Sequence, residues 1–311
     1  MTRLATDDVR SISAGLAGYE SELSAKTGYS LRGIACQAAD VNEEEIKDSL
    51  KNALIGVIPI TGGLGIIGGF SDAVAGIVAH MGCKTFITQA IDVAGLAEAF
   101  EQKADIILLA DDHRFIALHT ATGLLIDNAA ATGKGFVAGM QLMAGELNKR
   151  NVLVIGCGPV GCSATEELVA IGACVSIFDI NSARSIDLSG AIKNTGNAKV
   201  QIVKDLNRAL KSHKFIIDAS PATDIIQARH ISSDTYISAP GVPVGLDPEA
   251  RLKIGNRLLH DPLHIGVATM VISAFRFQNQ NIGKTYLEIL DAKRRAVAKF
   301  RDGNSRSIQP L

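Results

Sequence analysis

The sequence predicts an α/β protein: an N-terminal α/β domain with a helical N-terminus, then a domain built as a doubly wound parallel sheet. Three observations carry this reading. Short apolar runs suited to strands buried on both faces alternate with stretches of helical periodicity from about residue 54 onward. Residues 151–179 join two such runs through a glycine-rich turn. The 311 residues, 47% apolar and 20% charged, are enough chain for two cores of ordinary composition.

Taken in order, Leu4 to Leu23 has helical spacing, with Thr6 as the expected N-cap and Asp7 and Asp8 in a first turn that favours negative charge. Asn42 to Leu54 reads as a solvated helix. Leu54 to Ile60 is a buried strand, the loop Thr61-Gly62-Gly63-Leu64-Gly65 follows it, and apolar helical spacing resumes from Ile66 to His80. Strand, glycine loop and helix in that order suggest a ligand-cradling loop at a strand's carboxyl end. Glycines placed only for packing are the alternative, and a phosphate loop is excluded because no Gly-Lys-Ser/Thr follows. Lys84 to Thr88 is a strand, Val93 to Gln102 a helix, and Asp105 to Ala110 a strand ending on Asp111-Asp112. A strand end in such a sheet faces the ligand crevice, so Asp111 is a candidate for holding a cation or amine, while Asp112 suits an N-cap. His113 and His119 follow in a polar stretch where exposed histidines are expected. Asn128 to Lys149 reads as a helix joining the halves, with residues 1–148 as the substrate-side domain and 149–311 as the second.

The second domain opens with the most informative stretch. Val152 to Ile155 is an apolar strand, and Gly156, Gly158 and Gly161 follow at G-x-G-x-x-G spacing, with Pro159 and Val160 between them. A helix over Cys162 to Ile171 and a strand ending on Asp179 complete a βαβ unit. The glycines supply a tight turn, close approach of backbone to a pyrophosphate, and close helix-to-strand packing. The helix N-terminus favours the phosphates, and Asp179 is placed to accept the ribose hydroxyls. This is a Rossmann unit, and Asp179 would repel a 2′-phosphate, so the expected cofactor is NAD. Further strands run into loops at Ser220-Pro221, Pro240-Gly241 and Asp261-Pro262, which approach the nicotinamide end. Leu287 to Phe300 reads as a basic surface helix.

Charge and cysteine usage narrow the partners. A formal net charge of −1 gives no electrostatic footprint for nucleic acid or an anionic membrane. Five cysteines without C-x-x-C spacing indicate neither a disulfide framework nor a zinc site, the N-terminus has no apolar signal core, and the apolar stretch 56–79 is interrupted by Pro59 and Asp72. A cytoplasmic enzyme with a small-molecule substrate, a candidate homodimer, is expected.

Five stretches together resemble the pyrrolysine synthase (PylD) family. They are GVIPITGGLGIIGGFSD (56–72), ILLADDHRF (107–115), the dinucleotide segment, SAPGVP (238–243) and DPLHIGVATM (261–270), in family order. The first two are the specific ones, since the glycine fingerprint is widely shared. The resemblance covers about Leu4 to Phe275. It implies NAD-dependent oxidation of the terminal amine of 3-methyl-D-ornithine joined to the side-chain nitrogen of L-lysine, with ammonia release and closure of a pyrroline ring. By position it implies that Leu4 helps to close the site and that Gly62, Ile67, Phe70, Asp111, Asn128 and Asp261 lie on the substrate side. Gly62 stands where the family has a small hydroxyl residue, Asp261 replaces a glutamate, and the tail after Phe275 exceeds the family's length. Another dehydrogenase, acting on an amino acid, 2-oxo acid or alcohol, is the competing reading. Such enzymes commonly use a catalytic lysine, and the first half offers none at a strand's carboxyl end: Lys84 begins its strand and Lys103 follows a helix. An NAD-sensing regulator is a third reading.

Overall fold

In the computed structural model, which describes residues 4–195 and 200–276, four helices precede the first strand. The single helix expected from Leu4 to Leu23 is two, α1 (Thr6–Val9) and α2 (Ile12–Thr27). Thr6 is the first helical residue and not the cap. Ala5 holds the cap position, and its N–H donates to the Asp8 carboxylate at 2.6 Å, so the acidic first turn satisfies the helix end by itself. α3 (Leu31–Ala39), an addition to the sequence reading, starts at Ser30, whose hydroxyl accepts from the N–H of Gly33. α4 (Glu43–Asn52) is capped by the Asn42 side chain.

The first sheet runs β2-β1-β3-β4-β5. β1 (Leu54–Ile58), β2 (Lys84–Ile87) and β3 (Ile106–Ala110) are parallel and joined through α5 (Phe70–His80) and α6 (Asp92–Glu101). β4 (Phe115–His119) and β5 (Leu124–Asp127) return antiparallel, so the polar stretch after Asp111 holds a strand pair. That placement corrects the expectation for His119. Burial alternates along β4, with Phe115, Ala117 and His119 on the inner face, and His119 is only 2% exposed. Burial pushes its pKa down, which keeps the ring neutral beside the Thr122 hydroxyl.

α7 (Asn128–Ala144) leads to the second sheet and stops short of Lys149, where Gly145 takes a positive φ of 88°. The second sheet is β6 (Asn151–Ile155), β7 (Cys174–Phe178), β8 (Gln201–Ile202), β9 (Phe215–Asp218), β10 (Tyr236–Ala239) and β11 (Leu258–His260). Its order, β11-β10-β9-β6-β7-β8, is fully parallel, with the winding direction reversing between β6 and β9. α8 (Pro159–Ala170), α9 (Ser182–Thr195), α10 (Leu206–Ser212), α11 (Pro248–Ile254) and α12 (His264–Arg276) complete it. This is the doubly wound arrangement that places ligands at the reversal point. Both sheets lie within residues 1–274, one compact unit. The basic helix expected at Leu287 to Phe300 lies outside the described residues. None of the described helices is long and apolar enough to cross a membrane.

α7 is the shared wall. At Gly133 an added Cβ would press on Ser163 and the backbone of Ala164 in α8, and at Gly135 on Ile265 and Thr269 in α12. Ser163 and Ser238 donate their hydroxyls to α7 carbonyls at Ala130 and Phe136, at 2.7 and 2.8 Å. The N-terminal helices are tied to the far end of the second sheet by one buried cluster. Tyr19 of α2 stacks on His264 at 3.9 Å between ring centroids and donates its hydroxyl to Asp261 at 2.8 Å. The other Asp261 oxygen accepts the N–H groups of Leu263 and His264, capping α12. Burial alone pushes this carboxyl up, yet the His264 ring, the Tyr19 hydroxyl and the Leu263 N–H together hold it below the usual carboxylate range. A hydrogen bond to a buried charge contributes about 1.5–3 kcal/mol, so Tyr19→Phe is expected to lose about that much stability in urea unfolding. An unchanged midpoint would show that the hydroxyl adds nothing to this tie.

Candidate active site

A cavity of about 1190 Å³ runs along the carboxyl ends of the parallel strands of both sheets. On the side of the second sheet, β6 ends in Gly156 with φ of 89°, a backbone state that side chains resist, and α8 begins immediately after Gly158. Space beside Gly158 is open, whereas a Cβ on Gly161 would fall within contact of the Gly156 carbonyl. Gly156, Gly158, Pro159 and Val160 line the cavity, and Gly161 is buried behind them. The open flank of Gly158 and the exposed start of a 12-residue helix fit a pyrophosphate. Asp179 closes β7, where one oxygen accepts from the Cys157 N–H at 2.7 Å and the other from the Asn181 N–H at 2.8 Å. Each oxygen has a lone pair remaining for a ligand hydroxyl. Ser220, Pro221, Pro240 and Gly241 line the cavity from the loops after β9 and β10.

The first sheet supplies an apolar, acidic half. Leu4, Ile67, Phe70, Asp111 and Asn128 come together in the cavity wall, with Phe115 packed edge-on against Phe70. Asp111, not Asp112, takes the capping role expected of Asp112. Asp111 caps the turn, one oxygen accepting the N–H groups of His113 and Arg114 at 2.8 and 2.7 Å. These donors, Arg114 first, hold its carboxyl below the ordinary range. Asp112 accepts the N–H of Leu64 and pins the glycine loop. Asp92, at the start of α6, accepts both the N–H and the hydroxyl of Thr61, so carboxylates of two elements fasten the same loop. Asn128 directs its amide to the Met270 sulfur at 3.1 Å. Acids outnumber bases in the wall, Asp111 and Asp112 on this side and Glu166, Asp179 and Asp187 against Arg184 on the side of the second sheet, so the cavity carries negative potential.

Two residues expected on the substrate side are not in the wall. Gly62 is exposed on the loop, where Gly65, Ile66 and Ile67 reach the cavity instead. Asp261 is buried behind Pro262 and Leu263 because its oxygens are taken by Tyr19 and the start of α12. Two others went unnoticed in the sequence. Cys157 lines the cavity with a thiol that burial pushes up to about 11. Asp218 is fully buried at the end of β9, its carboxyl pushed up to about 6 by burial against the opposing pull of Ser220 and Gly245.

A dinucleotide cradle and an acidic, apolar chamber opening on one cavity define a nicotinamide-dependent oxidoreductase. The family model for pyrrolysine biosynthesis protein PylD, N-terminal domain, matches residues 8–126, and that for the alanine dehydrogenase/PNT C-terminal domain matches residues 126–232. Pyrrolysine synthase of Methanosarcina barkeri is 32% identical over 275 residues, 88% of this chain and 98% of the relative. That of Methanosarcina acetivorans is 29% identical over 88% of this chain and 99% of its own. The chain belongs to the pyrrolysine synthase family. Solved structures that share its fold include two dehydrogenases. Quinate dehydrogenase from Corynebacterium glutamicum in complex with NAD has a TM-score of 0.51 at 15% identity, over 76% of this chain and 99% of that one. Shikimate dehydrogenase from Aquifex aeolicus has a TM-score of 0.51 at 17% identity, over 73% and 92%.

The glycines of the cradle separate two requirements. Gly158→Ala is expected to keep the melting temperature and lose dinucleotide affinity, because its methyl enters open cavity. Gly161→Ala is expected to lose both, because its methyl drives the Gly156 carbonyl away. Calorimetric melting alongside cofactor titration distinguishes them, and equal behaviour of the two variants would contradict this division.

Proposed function

We propose that this protein catalyses the NAD-dependent oxidation of the terminal amine of 3-methylornithine joined to the side-chain nitrogen of lysine, with ammonia release and ring closure to pyrrolysine. The observation that carries the reading is that the dinucleotide cradle and the Asp111 chamber share one cavity. Bound NAD supplies the hydride acceptor. The chain's own residues bind and orient the substrate and govern the proton on its nitrogen.

An amine with an ordinary pKa of about 10.4 must be neutral before its carbon can release hydride. Asp111, held ionised by backbone donors, is a poor base and would keep any ammonium paired with it protonated. It therefore holds the amine of the lysine half, which takes part neither in hydride loss nor in ring closure, where the second ornithine amine must be neutral to displace ammonia. The reacting amine lies against Leu4, Ile67, Phe70 and Phe115, where an apolar wall lowers an amine pKa towards neutrality. Leu4 covers this chamber and excludes water. Asn128 lines the substrate side, while Gly62 and Asp261 act from outside the wall, through the glycine loop and through the start of α12. The competing dehydrogenase reading lacks its customary base, since no lysine lines the cavity among the described residues.

The reading includes residues 1–148 as substrate domain and 149–311 as Rossmann domain, a cytoplasmic location, no nucleic-acid or membrane partner, and a homodimer, which light scattering would check. NADH formation with lysine-linked methylornithine, followed by mass spectrometry for ammonia loss, tests the reaction, and no NADH with any lysine-linked ornithine would refute it. A kcat/KM favouring NAD over NADP is expected from the Asp179 carboxylate; the reverse preference would remove Asp179 from the ribose site. Asp111→Asn is expected to bind NAD normally and to lose roughly 10- to 150-fold in kcat/KM, the worth of one charge-assisted contact. Turnover at the wild-type rate would make Asp111 a turn cap only.

A further inference from the structure

We propose that Asp218 is the positioning residue for the nicotinamide end of the cofactor, its carboxylate stapling together the loops that follow β9 and β10. The inference rests on the reading that the cavity holds NAD. One Asp218 oxygen accepts the hydroxyl of Ser220 at 2.7 Å and its N–H at 3.2 Å. The other accepts the N–H of Gly245 at 3.1 Å, across the neighbouring loop. The backbone carbonyl of Asp218 takes the N–H of Gly241 at 3.0 Å. A further bond from the Ile226 N–H to the Gly245 carbonyl, at 2.9 Å, zips the same two loops.

Ser220 and Gly241 stand in the cavity wall, while Asp218 and Gly245 do not. The carboxylate thus acts from behind, on groups that touch the ligand. Its place is specific to one end of the cofactor. β9 and β10 lie across the reversal point from the β6–β7 unit that holds pyrophosphate and ribose, so the stapled loops face the ring that exchanges hydride.

The chemistry of the position also points to a role. Burial opposes a charge here, as the raised pKa records, yet an uncharged replacement cannot make the same bonds. Asparagine offers one acceptor oxygen; with that oxygen on Gly245, its amide nitrogen would face the Ser220 N–H, and only the Ser220 hydroxyl could turn to accept from it. Only a carboxylate accepts from both loops at once. Gly245 completes the fit, since a Cβ there would land on the carboxylate oxygen that it serves.

The test compares NAD with ADP-ribose, which lacks only the nicotinamide, by calorimetric titration of Asp218→Asn and Gly245→Ala in the full chain. Asp218→Asn is expected to weaken NAD by roughly 10-fold or more and ADP-ribose by less than about 2-fold, as loss of one end's placement requires. Gly245→Ala, which displaces the carboxylate from outside the cavity, should move the ratio in the same direction. Equal weakening of both ligands would mark a general loss of structure, and no weakening of either an idle carboxylate; each overturns the proposal. If Asp218→Asn does not fold, the Gly245→Ala ratio decides, and an unchanged ratio overturns it. Wild-type protein that binds neither ligand would sink the cofactor reading itself, a result separate from any change in ratio.

Discussion

The absence of side chains on two sides of α7, at Gly133 on one and at Gly135 and Gly139 on the other, is the constraint on which its packing into the second sheet depends. α8, α12 and β11 each press a side chain or backbone into a place where α7 offers only a glycine, at Gly133, Gly135 and Gly139. Any larger residue at these points would hold the elements several tenths of an ångström or more apart, in an interior with no slack to absorb it. The first turn of that helix carries Asn128 and Thr132 into the cavity, and its flank meets the helix that begins at the dinucleotide loop. The distance between the Asp111 chamber and the dinucleotide cradle is therefore set by backbone packing, which is stiffer than contact through long side chains.

Carboxylates do most of the remaining positioning, each by accepting main-chain N–H groups from a loop. Asp92 and Asp112 fasten the glycine loop, Asp179 joins the first and second turns of the Rossmann unit, Asp218 joins the later turns, and Asp261 anchors α12. One chemical device is repeated around the cavity because loops at strand ends expose donors that the sheet has left unpaired. A by-product is negative potential, which leaves an anionic pyrophosphate dependent on the helix N-terminus.

The Rossmann unit was legible in the sequence because glycine spacing, apolar runs and a terminal acid are all local, and the structure places each within a residue or two of its expected position. The place of Asp111 in the cavity wall was legible for the same reason, as an acid following a buried strand. What went unread was decided by contacts distant in sequence. His119 looked exposed among polar neighbours, but strand pairing with β3 turned it inward. What Asp112 does depends on where Leu64 lies, 48 residues away. Asp261 was withdrawn from the cavity by Tyr19, 242 positions earlier in the chain. Asp218 did carry a signal, the same strand-end acid as Asp111, and was overlooked because the Ser-Pro after it drew the functional reading.

The thiol of Cys157, set between two cradle glycines, gives the cofactor loop a particular chemical temperament. With its pKa pushed up to about 11, only about one part in ten thousand is thiolate at pH 7. Alkylating reagents and peroxides act through the thiolate, so they meet an almost inert sulfur at a position where any adduct would obstruct the dinucleotide. The same burial that packs the loop keeps the entrance for NAD chemically quiet, even though no disulfide protects any of the five thiols.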